Sequence, residues 1–96
     1  MIARLWRGRA GTPEDADAYQ RHVTTRVLPA LKDMPGHRGA QVLRRKGEFV
    51  VITFWESMDA IRRFAGEDPE RAVVEPEARA VLAESDDFVR HYEVME

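Results

Sequence analysis

Residues 48–66, EFVVITFWESMDAIRRFAG, turn from an unbroken apolar run into an amphipathic helix within two residues. Phe49 to Trp55 are β-branched or aromatic almost throughout, without the polar alternation of a strand that has one wet face. Both faces of this strand must therefore be covered. Ser57 offers an N-cap and Asp59 puts negative charge in the first turn, while Met58, Ile61, Phe64 and Ala65 recur at helical spacing until Gly66. That helix covers one face. The remainder of the chain holds too little apolar material for another layer, so the second cover is expected to be a second copy of the same sheet, in a homodimer.

The flanking sequence supplies the other elements. Met1–Arg9 alternates imperfectly and predicts a first strand, with Ala3, Leu5 and Arg7 read as the helix-facing side. Thr12, Pro13, Glu14 and Asp15 form a helix start, and Ala16, Tyr19, Val23 and Val27 continue as a core stripe. Pro29 is expected to kink or end this helix. Arg38–Arg45 reads as a second strand, joined to the apolar run through Lys46-Gly47 as an antiparallel hairpin. Asp68-Pro69 predicts a short helical turn carrying Ala72, Val73 and Val74, and Pro76 a second one carrying Ala78, Val81 and Leu82. Phe88–Val94 is the last strand. The order β-α-β-β-α-β predicts an α+β, ferredoxin-like single domain over 1–96, with a four-stranded antiparallel sheet and both main helices on one face.

Ninety-six residues suffice for one core. A net charge of −2 is too balanced for a nucleic-acid surface. With no cysteine there is no disulfide, thiolate nucleophile or thiolate metal site. The first ten residues lack the apolar core of a signal peptide, and no stretch approaches the ~20 apolar residues of a membrane span. No membrane partner and a cytoplasmic location are the expectations.

The opening MIARLWRG, the segment PGHRGAQVLRR, the junction FWESMDAIRRFAGEDPERAV and the terminal HYEV resemble the antibiotic biosynthesis monooxygenase (ABM) domain of the dimeric α+β barrel superfamily. The resemblance implies that fold and a homodimer. It leaves the chemistry open, since the superfamily holds cofactor-independent quinone-forming monooxygenases, haem-degrading enzymes, isomerases and members without known activity. Haem-degrading members carry an Asn in the first strand, a Trp in the second helix and an axial His after it. The matching places here hold Arg7, Phe64 and Val74, and a valine cannot ligate iron.

Three histidines are available for proton transfer. His91, in a strand between apolar and aromatic neighbours, is the first candidate for a base, and His22, flanking the core stripe, the second; His37 sits in a turn. Arg7 and Tyr92, or Tyr19, are candidates for holding a developing oxyanion. Trp6, Tyr19, Trp55 and Phe64 could stack on a flat aromatic substrate, although core packing alone accounts for such side chains. No close histidine spacing suggests a metal, and no triad, phosphate loop, flavin or nicotinamide fingerprint is present, so no cofactor is expected. The chemistry compatible with these residues is one in which the substrate supplies the reactivity: a phenol or enol loses a proton and its carbanion reduces oxygen in a dry pocket. The alternative is a non-catalytic dimeric barrel that binds a small metabolite or serves only self-association.

Overall fold

The computed structural model describes residues 1–95. Its elements are β1 (Ile2–Arg9), α1 (Pro13–His22), a π-helical segment (Val23–Val27), α2 (Leu28–Lys32), β2 (His37–Arg45), β3 (Glu48–Trp55), α3 (Met58–Ala65), α4 (Pro76–Val81), β4 (Glu84–Ser85) and β5 (Arg90–Glu93). The sheet is antiparallel with order β2-β3-β1, and β1 then pairs with β4 at one end and β5 at the other. This is the expected ferredoxin-like arrangement, with the two-residue β4 as an addition.

The β2–β3 hairpin closes through Lys46, at φ 55, and Gly47. On β3 the inward positions Phe49, Val51, Thr53 and Trp55 are buried, while Val50, Ile52 and Phe54 alternate as half-buried residues of the open face. Ser57 caps α3 by accepting from the Ala60 amide, and Thr12 caps α1 by accepting from the Asp15 amide at 3.1 Å. Two clusters form the core. One gathers Trp6, Tyr19, Val23, Phe49, Val51, Ala78 and Val89; the other gathers Leu31, Trp55, Ala60 and Ile61.

Pro29 neither ends nor breaks the helical path. Proline cannot donate to the carbonyl four residues back, and its ring crowds that turn. The turn before it is widened to π geometry, with the Leu28 amide donating to the Val23 carbonyl, and the chain continues as α2. The expected helical turn over Ala72–Val74 is not formed. Asp68 to Arg71 make one turn, and the segment then runs extended because it pairs with the approach to β5: Ala72 N donates to Asp87 O at 2.8 Å, and Val89 N to Glu70 O at 2.7 Å. The last strand is correspondingly shorter than Phe88–Val94, and Phe88 makes only an isolated bridge with Arg71.

The facing of β1 is the reverse of the one expected. Arg4, Trp6 and Gly8 point to the helices and are buried, whereas Arg7 is exposed on the open face and pairs with Asp86 at 3.5 Å. Gly8 is required there: a Cβ would lie 2.4 Å from the Trp6 indole.

Candidate functional site

Between the inner sheet face and the helices lies a cavity of about 360 Å³. Its sheet wall is built from Arg4, Trp6, Val51, Thr53 and Val89, and its helical wall from Tyr19, His22, Val23, Val27, Leu31 and Phe64. The extended segment Val73–Glu75, together with Ala78 of α4, closes another side. The lining is mostly apolar, with a few converging polar groups, which is the composition of a small-molecule site.

Tyr19 and His22 lie one turn apart on α1, with ring centroids 6.5 Å apart. Burial raises the Tyr19 phenol well above its usual range, so it stays protonated and able to donate. The His22 side chain is nearly enclosed, and its Nε2 is buried without a hydrogen-bond partner among the described residues. The Glu75 carboxylate stands 3.8 Å from that nitrogen, beyond hydrogen-bond reach but close enough to balance charge on the ring.

Arg4 enters the cavity from the sheet, between Thr53 of β3 and His91 of β5 in the register. Its Nη1 donates to the Pro69 carbonyl and to His91 Nε2 at 3.0 Å, and its Nη2 donates to the Arg71 carbonyl at 2.9 Å. The guanidinium also lies over the Phe64 ring, 5.6 Å from its centroid. Burial lowers its pKa to about 10, which leaves it charged at neutral pH. Burial, and then the charge of Arg4, hold His91 below the ordinary imidazole value, while Glu70 opposes the shift; the neutral ring accepts from Arg4.

The structure brings His22, Trp6, Tyr19 and Phe64 to one cavity and leaves other expected residues outside it. His91 stands behind Arg4 and is not part of the lining. Arg7 and Tyr92 are on the opposite face of the sheet, with Tyr92 paired to Ala3 and half exposed. Trp55 is fully buried, stacked on Phe64 with centroids 5.1 Å apart and donating to the Thr53 hydroxyl, so its ring packs the core. His37 opens β2 and packs edge-on against Trp55. Arg4 and Thr53 were not singled out from the sequence. The available signal was that Arg4 shares its strand parity with Trp6, a poor candidate for an exposed face. Among the described residues no group of three or more His, Asp or Glu is gathered in a way that could hold a metal ion.

A ferredoxin-like α+β domain with a mostly apolar chamber between sheet and helices defines the class. The chain belongs to the antibiotic biosynthesis monooxygenase family, whose sequence profile matches residues 8–76. No curated protein matches it by sequence. Among solved structures it is similar to SnoaB, a cofactor-independent oxygenase from Streptomyces nogalater, at 18% identity and TM-score 0.68, with 99% of this chain and 93% of that one covered. It is also similar to the haem degrader MhuD of Mycobacterium tuberculosis, at 17% identity and TM-score 0.66, covering 100% and 97%. A Streptomyces coelicolor monooxygenase in complex with nanaomycin D matches over 71% of this chain and 62% of its own, at 23% identity and TM-score 0.58. At these identities the likeness establishes the fold. No helix of the described residues is long and apolar enough to cross a membrane.

Proposed function

We propose that the chain is a cofactor-independent monooxygenase acting on a small aromatic or polyketide-like substrate held in the cavity. The observation that carries this reading is the buried, unpartnered Nε2 of His22 in a mostly apolar lining. A polar atom kept dry without a protein partner is costly unless a ligand completes it. Here it is suited to take a proton from a substrate carbon activated by a neighbouring phenol or carbonyl. Glu75 balances the charge of the ring once the proton has arrived. The protonated Tyr19 hydroxyl donates to the enolate oxygen as charge develops on it. The carbanion passes its electrons to dioxygen and combines with it. The resulting hydroperoxide carbon loses its remaining hydrogen and expels water, so a CH₂ and O₂ become a carbonyl and H₂O. Trp6 and Phe64 present ring surfaces to a flat substrate, and the apolar wall keeps water from quenching the carbanion.

His91 positions Arg4 in this scheme rather than serving as the base, because the Nε2 lone pair it would need is engaged by Arg4. The active unit is a homodimer that covers the open sheet face. That reading is supported by the apolar Leu5, Leu43, Ile52 and Phe54 on that face.

The test is oxygen uptake with a panel of anthrone-like and hydroquinone-like substrates, comparing the parent with His22→Gln. Glutamine preserves size but cannot take the proton, so turnover falls by ~10²–10⁴ at unchanged melting temperature. Undiminished turnover in the variant contradicts the role of His22. A parent that consumes no oxygen with any substrate in the panel contradicts the enzyme reading.

A further inference from the structure

The cavity has a proton-handling wall on α1 and, on the sheet, a wall built for something else. Arg4 is only 4% exposed, and among the described residues no carboxylate pairs with it. An arginine carries five N–H donors in a planar fork. Two leave Nη1 for the Pro69 carbonyl and His91, and one leaves Nη2 for the Arg71 carbonyl. The Nε–H and the second Nη2–H take no acceptor among the described residues. Nε and Nη2 share one edge of the fork, the edge that meets a carboxylate with two parallel hydrogen bonds. Thr53, directly across the register from Arg4, also lines the cavity. Its hydroxyl oxygen already accepts from Trp55 Nε1 at 2.8 Å, which leaves its own hydrogen to give to a ligand.

A buried guanidinium without a counter-charge is unfavourable, and one fixed by two carbonyls and an imidazole cannot swing out to solvent. We propose that the substrate is a carboxylic acid, its carboxylate seated on the free edge of Arg4 and on the Thr53 hydroxyl, with its rings lying against Trp6, Val51 and Phe64. This inference rests on the reading of the cavity as a substrate chamber and adds the ionic end of the molecule. Phe64 and the Pro69–Arg71 turn hold the guanidinium at a fixed height, so the anchor also sets how far the rings reach toward His22 and Tyr19.

The experiment is calorimetric titration of the full chain with 2-naphthoate and with its neutral isostere 2-naphthamide. The parent binds the acid more tightly, by about tenfold or more, as a charge-assisted bidentate contact requires. Arg4→Gln abolishes the preference, whereas Arg4→Lys, which retains charge but lacks the fork, keeps only part of it. Arg7→Gln, on the open face, leaves it unchanged. Because Arg4 also ties down the 69–71 turn, Thr53→Val gives a second reading: affinity for the acid falls several-fold while that for the amide holds. Equal binding of the two probes by the parent overturns the carboxylate assignment alone. Binding of neither overturns the chamber reading together with it.

Discussion

Arg4 and His91 face each other across β1 and β5 and share one hydrogen bond. His91 can accept from Arg4 only while Nε2 is unprotonated, and burial and the Arg4 charge keep its pKa below the ordinary 6.5. His37 is lowered in the same direction by burial against its surroundings. A histidine whose folded pKa is depressed stabilises the fold fully above its unfolded value, and that contribution is lost as pH falls through the folded value. The melting temperature should therefore drop as pH falls below the ordinary histidine value, and His91→Gln, which keeps an acceptor for Arg4 but cannot charge, should drop less. An equal drop in both proteins would show that the Arg4–His91 contact does not govern acid stability. The sequence led to Arg7 instead of Arg4 for a physical reason: both faces of β1 carry apolar bulk, Ala3 and Leu5 on one side, Ile2 and Trp6 on the other. When both faces of a strand are to be covered, alternation no longer tells which one meets the helices.

The elements were legible wherever local chemistry decided them. The caps at Thr12 and Ser57, the hairpin through Lys46-Gly47 and the periodicity of α3 act within a few residues and could be read directly. The course of the chain into Ala72–Glu75 could not, because Glu70, Arg71 and Ala72 pair with residues 87–89, a contact that no local propensity encodes. The π segment likewise reflects Pro29 acting through a helix that tertiary packing keeps intact. Gly36 joins α2 to β2 at φ +81, and a Cβ there would sit 2.4 Å from the Ala60 Cβ of α3. Gly36→Ala therefore combines a left-handed backbone with a clash against a buried helix, and should cost about 1–3 kcal/mol in chemical denaturation. A variant as stable as the parent would mean that this turn is looser than its packing indicates.

For the whole molecule, the open face of the sheet leaves Leu43 and Tyr92 about half exposed beside the β3 side chains Val50, Ile52 and Phe54. A patch of this kind is a site for association. Light scattering should give the parent a dimer mass at micromolar concentration, and Ile52→Glu, which places a charge at the Leu5–Ile52 pair, a monomer mass. A monomeric parent would remove the proposed dimer. In the proposed scheme the inner face carries the function, and its cavity was the feature the sequence could not show, since the same Trp6, Tyr19 and Phe64 that line it also serve as packing. Filling that space tests the proposal without touching its polar groups. Val74 lies on the lining, in the segment across from the sheet, and Val74→Phe would occupy volume the substrate needs. With metal-free, cofactor-free protein and a substrate that the parent oxidises, oxygen uptake should collapse in Val74→Phe while the melting temperature is unchanged or higher. Undiminished uptake with the chamber filled would mean that the reaction takes place elsewhere.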